Sequence, residues 1–125
     1  MDNPKLLSPS TLAFVGDAVY GVMVRAKLAE VERPVGELHK RSVEYVNANA
    51  QSNAFELIKE MLTEEEMGIY KRGRNNHVGQ IPKNATSGVY HSATGVEALF
   101  GFLYLRGETE RLNMLFSCIW EGIDK

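Results

Sequence analysis

Along the chain, apolar residues recur three and four positions apart, and no stretch alternates with a period of two for long enough to require a strand. The spacing predicts a helix over about 9–30, opened by Ser8 as a capping hydroxyl with Pro9 at the first helical position and broken at Arg33-Pro34. The series Val35, Leu38, Val43, Val46, then Ala50, Ala54, Leu57, Ile58 and Met61, predicts two helices or one bent helix, with a junction near the polar "NANAQSN" of residues 47–53. Thr63 and Glu66 are spaced as a capping box, and the helix they open carries acids in its first turn and Lys71 and Arg72 towards its end, in keeping with its dipole. "NNHVGQIPKNATSG", residues 75–88, has Gly, Pro and Asn punctuation and no period, and is expected to be the one long loop. Helical spacing then resumes as far as Gly107, a C-cap candidate, and "ETERLNMLFSCIWEGI" predicts a short amphipathic last helix. The expected fold class is all-α.

Composition narrows the function without naming it. At 125 residues, with 44% hydrophobic and 24% charged residues, the chain is a single soluble domain's worth. The formal net charge of -2 means that any nucleic-acid site must be a local patch. A single cysteine, Cys118, excludes an internal disulfide and a cysteine-based zinc cluster; its setting in "LFSCIW" is that of a core residue. No apolar run approaches about 18 residues, and the N-terminus lacks the basic and apolar regions of a signal peptide, so a cytoplasmic protein with no membrane span is expected. His39, His77 and His91 share no metal-ligand spacing, and no phosphate-binding "GxxxxGK" or dinucleotide motif occurs.

Two acids stand out because of where they are. Asp17 lies in the apolar run "LAFVGDAVYGVMV", with Ala13, Phe14, Tyr20 and Gly21 at helical distance, and Glu97 lies in "SATGVEALFGFLYL" among Ala93, Thr94, Phe100, Gly101 and Tyr104. Each of the two most apolar helices therefore carries one carboxylate. Either each acid finds a capping or arginine partner, or the two face one another across closely packed helices, where they must share a proton or a cation. A hard divalent cation with oxygen ligands, such as Mg²⁺, is the economical form of the second solution.

Charge is distributed unevenly. No Asp or Glu occurs between Met67 and Val96, whereas Lys71, Arg72, Arg74 and Lys83 do. "KRGRNN" running into a Gly/Pro loop offers guanidinium forks, amides and backbone N–H groups to phosphate oxygens, against the simpler reading of a helix end complementing its own dipole. "LHKR" at 38–41 adds a smaller basic cluster with His39 and Lys40.

"LAFVGDAVY" resembles the signature helix of the ribonuclease III family, and "TGVEALFGFLYL" resembles that family's second acidic helix, in the same order along an all-helical domain. The chain is similar to the short branch of the family, in which the catalytic domain stands alone, and residues 1–125 leave no room for a double-stranded RNA-binding domain. The resemblance implies a ribonuclease III-type helical endonuclease domain, homodimeric, that cuts double-stranded RNA by metal-activated water attack and leaves 5′-phosphate and 3′-hydroxyl ends. It implies Asp17 and Glu97 as catalytic residues and Mg²⁺ ligands, and precursor 23S ribosomal RNA as substrate. It also implies that the apolar flanks of Asp17 pack the helix into its own core and against a second subunit, keeping Asp17 fixed and poorly solvated. Longer members carry further acids where this sequence has Ser10, Ala13 and Thr94, so waters and RNA phosphates must supply more of the coordination. Lys71, Arg72, Arg74, Asn75, Lys83 and Asn84, with His39 and Lys40, are the expected RNA contacts, since A-form RNA is read through phosphates, 2′-hydroxyls and shape. The alternative is a helical dimer that binds structured RNA or a ribosomal particle without cutting it; whether a ribosomal protein takes part stays open.

Overall fold

The structure is a computed structural model that describes residues 3–76 and 87–123. Six α-helices, and no strand, occur among them: α1 (Pro9–Leu28), α2 (Val35–Val46), α3 (Ala48–Ile58), α4 (Glu64–Arg74), α5 (Ser87–Leu105) and α6 (Thr109–Gly122). The expected all-α class is what is seen. The junction near "NANAQSN" is a clean break: α2 ends at Val46, and Asn47, in extended conformation, caps α3 by accepting a hydrogen bond from the Ala50 amide at 2.8 Å.

The helix boundaries follow from local chemistry. The Ser8 hydroxyl accepts from the Thr11 amide at 3.1 Å, with Pro9 at the start of α1. The capping box of α4 is closed in both directions, Glu66 N to Thr63 Oγ1 at 3.1 Å and Thr63 N to Glu66 Oε1 at 2.9 Å. At the far end of α5 the chain turns through Gly107, whose φ of +77° suits a residue without a Cβ. The Gly107 amide donates to Tyr104 O and the Glu108 amide to Leu103 O, both at 3.0 Å, the pattern of a Schellman C-cap.

Helix α5 is the centre of the molecule. Helices α1, α3 and α4 pack around it, α6 closes the side towards α3, and α2 rests on α1. Val96, Leu99, Phe100, Phe102 and Leu103 of α5 are fully buried. They meet Leu12, Tyr20 and Val24 of α1, Ile58 of α3, Ile69 of α4, and Leu115 and Ile119 of α6 in one core. Tyr20 joins the layers by edge-to-face contacts with Phe100 and Phe116, at centroid distances of 5.1 and 5.8 Å.

Contact between α1 and α5 is backbone to backbone. A methyl group at Gly16 would overlap the carbonyl of Glu97, and one at Gly101 would overlap the carbonyl of Leu12. Only glycine permits that approach, and it puts the backbones of the two helices that carry the isolated acids in direct contact.

Candidate active site

The site is built where α1 and α5 run together. Ser10, Ala13, Phe14 and Asp17 occupy successive turns along one face of α1, and Tyr90, Thr94 and Glu97 do the same along α5. With Asn76, just past the end of α4, these residues line an open cleft of about 320 Å³. The structure therefore brings Asp17 and Glu97 together, and it places Ser10, Ala13 and Thr94 in the same cleft.

The two carboxylates are not equivalent. Asp17 is exposed, so the expectation that it would be poorly solvated does not hold within the single subunit: of its apolar flanks Ala13 and Tyr20 turn inwards while Phe14 and Ala18 stay exposed, and Asp17 lines the cleft. Glu97 is half-buried on a helix whose surroundings are otherwise core. Burial pushes its carboxyl up to about 8; the Asp17 charge and the hydrogen bond between the two acids add to the rise, and the Gln51 amide opposes it. Glu97 thus favours keeping its proton beside Asp17, an arrangement in which a cation can take the proton's place.

The donors present fit a hard divalent cation. Two carboxylates and the hydroxyls of Ser10 and Thr94 line the cleft, with no sulfur or imidazole among its lining residues. No cluster of three or more acidic, His or Cys side chains that could hold a metal occurs among the described residues, so the protein offers two charges and leaves room for water and phosphate oxygens. A larger groove of about 660 Å³, beside α3 and the end of α6, lacks such a pair: its acids Glu44 and Glu56 are exposed, and Glu56 is held by Lys59 at 2.9 Å.

The basic residues divide into two groups. Arg72 donates to the carbonyls of Lys5 at 3.0 Å and Leu7 at 2.9 Å, and so fastens the start of the chain to α4. Arg74 lies with its guanidinium 5.8 Å from the Tyr70 ring centroid and reaches Asn75 Oδ1 at 3.3 Å, while Lys71 and Asn75 are exposed at the same helix end. His39 and Lys40 are exposed on α2 and do not line the cleft. Lys83 and Asn84 lie outside the described residues.

Sequence reasoning missed three residues at or behind the cleft. Asn76 donates to Ser10 Oγ at 2.6 Å, joining the end of α4 to the first turn of α1 across the cleft, and Tyr90 lines its α5 side. Gln51, on α3, is 2% exposed. Its signal was available, because it falls in helical register with Ala54 and Ile58 on the buried face of α3, where a polar amide is out of place.

A helical domain with a carboxylate pair at the crossing of its two most apolar helices defines a class, and comparison with known proteins agrees. The model of the Ribonuclease III domain matches residues 10–108, and the chain belongs to the ribonuclease III family. It is an endoribonuclease. Among its relatives, the Mini-ribonuclease 3 of Thermoanaerobacter sp. (strain X514) is 50% identical over 120 residues, covering 95% of this chain and 84% of that protein. The Mini-ribonuclease 3 of Symbiobacterium thermophilum is 40% identical over 124 residues, 98% of this chain and 95% of that protein. A crystal structure of a protein from Fusobacterium nucleatum superposes with a TM-score of 0.86 at 30% identity, covering 92% of this chain and 89% of that one.

Proposed function

We propose that the protein is an Mg²⁺-dependent endoribonuclease that cuts double-stranded RNA with Asp17 and Glu97, works as a homodimer in the cytoplasm, and trims the paired ends of precursor 23S ribosomal RNA. The observation that carries the reading is the carboxylate pair held at the α1/α5 crossing, in a cleft whose other lining donors are oxygens. Bound there, Mg²⁺ would lower the pKa of a coordinated water and stabilise the charge that develops on phosphorus-bound oxygens. Asp17 and Glu97 would hold the cation, and the apolar packing of α5 fixes the position of Glu97. Ser10, Thr94 and Asn76 supply neutral polar contacts around the scissile phosphate, and Lys71, Arg74 and Asn75 are placed at the end of the neighbouring helix to meet the RNA backbone.

Residues 1–125 act as one catalytic domain in this reading, and a second subunit supplies the rest of the RNA footprint. Phe14, Ala18 and Val22 support that arrangement. They form an exposed stripe along α1, with Phe14 80% and Val22 61% exposed, continuous with the cleft. The substrate follows the resemblance to the short branch of the family. Incubation of the purified protein with duplex RNA, with Mg²⁺ or with chelator, tests the activity: metal-dependent products that vanish in Asp17→Asn are expected, and retained cleavage by that variant overturns the assignment.

A further inference from the structure

On α3, which packs against α5, the core contains an amide without a partner. Gln51 is 2% exposed, and its Nε2 makes no hydrogen bond with any described residue. Burying an N–H₂ group in that condition is costly, and folded proteins rarely tolerate it without a reason. Helix α3 packs directly on α5, Gln51 does not line the cleft, and the charged group its side chain interacts with is the Glu97 carboxylate.

We propose that Gln51 is a positioning residue, donating from Nε2 to the Glu97 carboxylate on its core side so that the carboxylate is held ready to share a divalent cation with Asp17. The inference rests on the reading of the Asp17 and Glu97 pair as the cation site. In the structure the Gln51 side chain lies near enough to Glu97 to act on its carboxyl, yet its Nε2 makes no formed hydrogen bond. With both acids turned to a shared cation, a Glu97 oxygen on the core side would accept the Gln51 N–H, and the buried donor would be satisfied. The cost of the orphaned amide is thus present without the ion and relieved with it, which makes Gln51 part of the affinity for the ion. Partners of this kind behind a metal ligand typically change affinity or activity by about 10- to 100-fold when removed.

Gln51→Met keeps length and volume and removes the donor, and Gln51→Leu does so with a different shape. Titration of each RNA-free protein with Mn²⁺ by calorimetry should show a Kd raised about tenfold or more. The Mg²⁺ concentration for half-maximal duplex cleavage should rise in parallel, and the melting temperature without metal should stay level or increase. An unchanged Mn²⁺ Kd in Gln51→Met overturns the proposal. So does a large fall in melting temperature in both variants, which would assign Gln51 to core packing. Asp17→Asn separates the two levels: if it weakens Mn²⁺ binding while Gln51→Met does not, the positioning role alone falls, and if neither variant affects Mn²⁺ the cation site itself falls.

Discussion

Gly16 lies against the backbone carbonyl of Glu97 so closely that no Cβ fits between them. The residue before one acid is thereby the contact surface for the backbone of the other, and the spacing of the pair is set by main chain rather than by adjustable side chains. Gly16→Ala should force α1 and α5 apart, costing about 1–3 kcal/mol of stability. Cleavage should fall further than the loss of folded protein accounts for. Gly68→Ala, on α4 with open space around it, is the control and should gain up to about 1 kcal/mol from helix propensity alone. Denaturant unfolding and initial cleavage rates read both.

The raised Glu97 carboxyl makes stability depend on pH in the metal-free protein. An acid with a folded-state pKa near 8 and an ordinary unfolded value is bound to its proton more firmly in the native state. Its contribution is complete below about pH 4.5 and is lost as pH rises to about 8. Glu97→Gln should flatten the decline of melting temperature over that interval and reduce cleavage by about 100-fold or more. Mn²⁺ affinity of the unaltered protein should increase over the same interval, because the ion must displace the Glu97 proton.

The pairing of Arg111 with Glu66 belongs to stability. Glu66 is 4% exposed, and Arg111 grips it by two nitrogens at 2.8 and 2.7 Å while a third bond reaches Met61 O at 2.7 Å. Burial works to raise the Glu66 carboxyl, but Arg111 and the Thr63 amide outweigh it and hold it below its usual range. The stabilisation is therefore present above the ordinary glutamate pKa and lost as pH falls through the lower, native value. Arg111→Met leaves a buried charge unpaired and should cost about 2–4 kcal/mol, discounted for the partial exposure of the guanidinium. Cleavage per folded molecule should be unchanged, since the pair lies away from the cleft.

Three basic residues in one short run should behave differently. Lys71→Ala and Arg74→Ala should each weaken duplex RNA binding and reduce the salt dependence of binding by about one unit of slope. Arg72→Ala should instead lower thermal stability, because its guanidinium serves the carbonyls of Lys5 and Leu7. Filter binding across a salt series, beside a melting curve, distinguishes the two behaviours.

Val22→Glu tests the stripe on α1 away from the cleft. A charge at a residue 61% exposed costs the isolated fold little, so the variant should fold and lose self-association. Light scattering should shift from dimer to monomer, with duplex cleavage falling alongside. A monomeric unaltered protein would remove the dimer from the proposal.

Most of the helices were legible, although α2 and α3 read equally as one bent helix, because each rule that defines them is local: the Ser8 and Thr63 caps, the Gly107 stop and the spacing of Leu12, Tyr20 and Val24 all act within a turn or two. Asp17 and Glu97 were legible as anomalies, acids where only apolar residues repeat. Their difference in exposure was not, because it depends on how far α1 rotates about its own axis against α5, which the Gly16 and Gly101 contacts decide. Arg72 reads from sequence as a phosphate contact, yet it bonds to carbonyls more than sixty residues earlier in the chain. Gln51 escaped notice because helical spacing marks a buried position but says nothing about which distant group will lie next to it.

Arg72 and Asn76 together hold the beginning of the chain, through Lys5, Leu7 and Ser10, to the end of α4 at the rim of the cleft. Anyone handling the protein inherits that strap. A fusion partner or truncation ahead of Ser8 pulls on the same residues that shape one wall of the active site, so an affinity tag is better carried beyond α6, whose hydrogen bonds and packing serve a different part of the molecule.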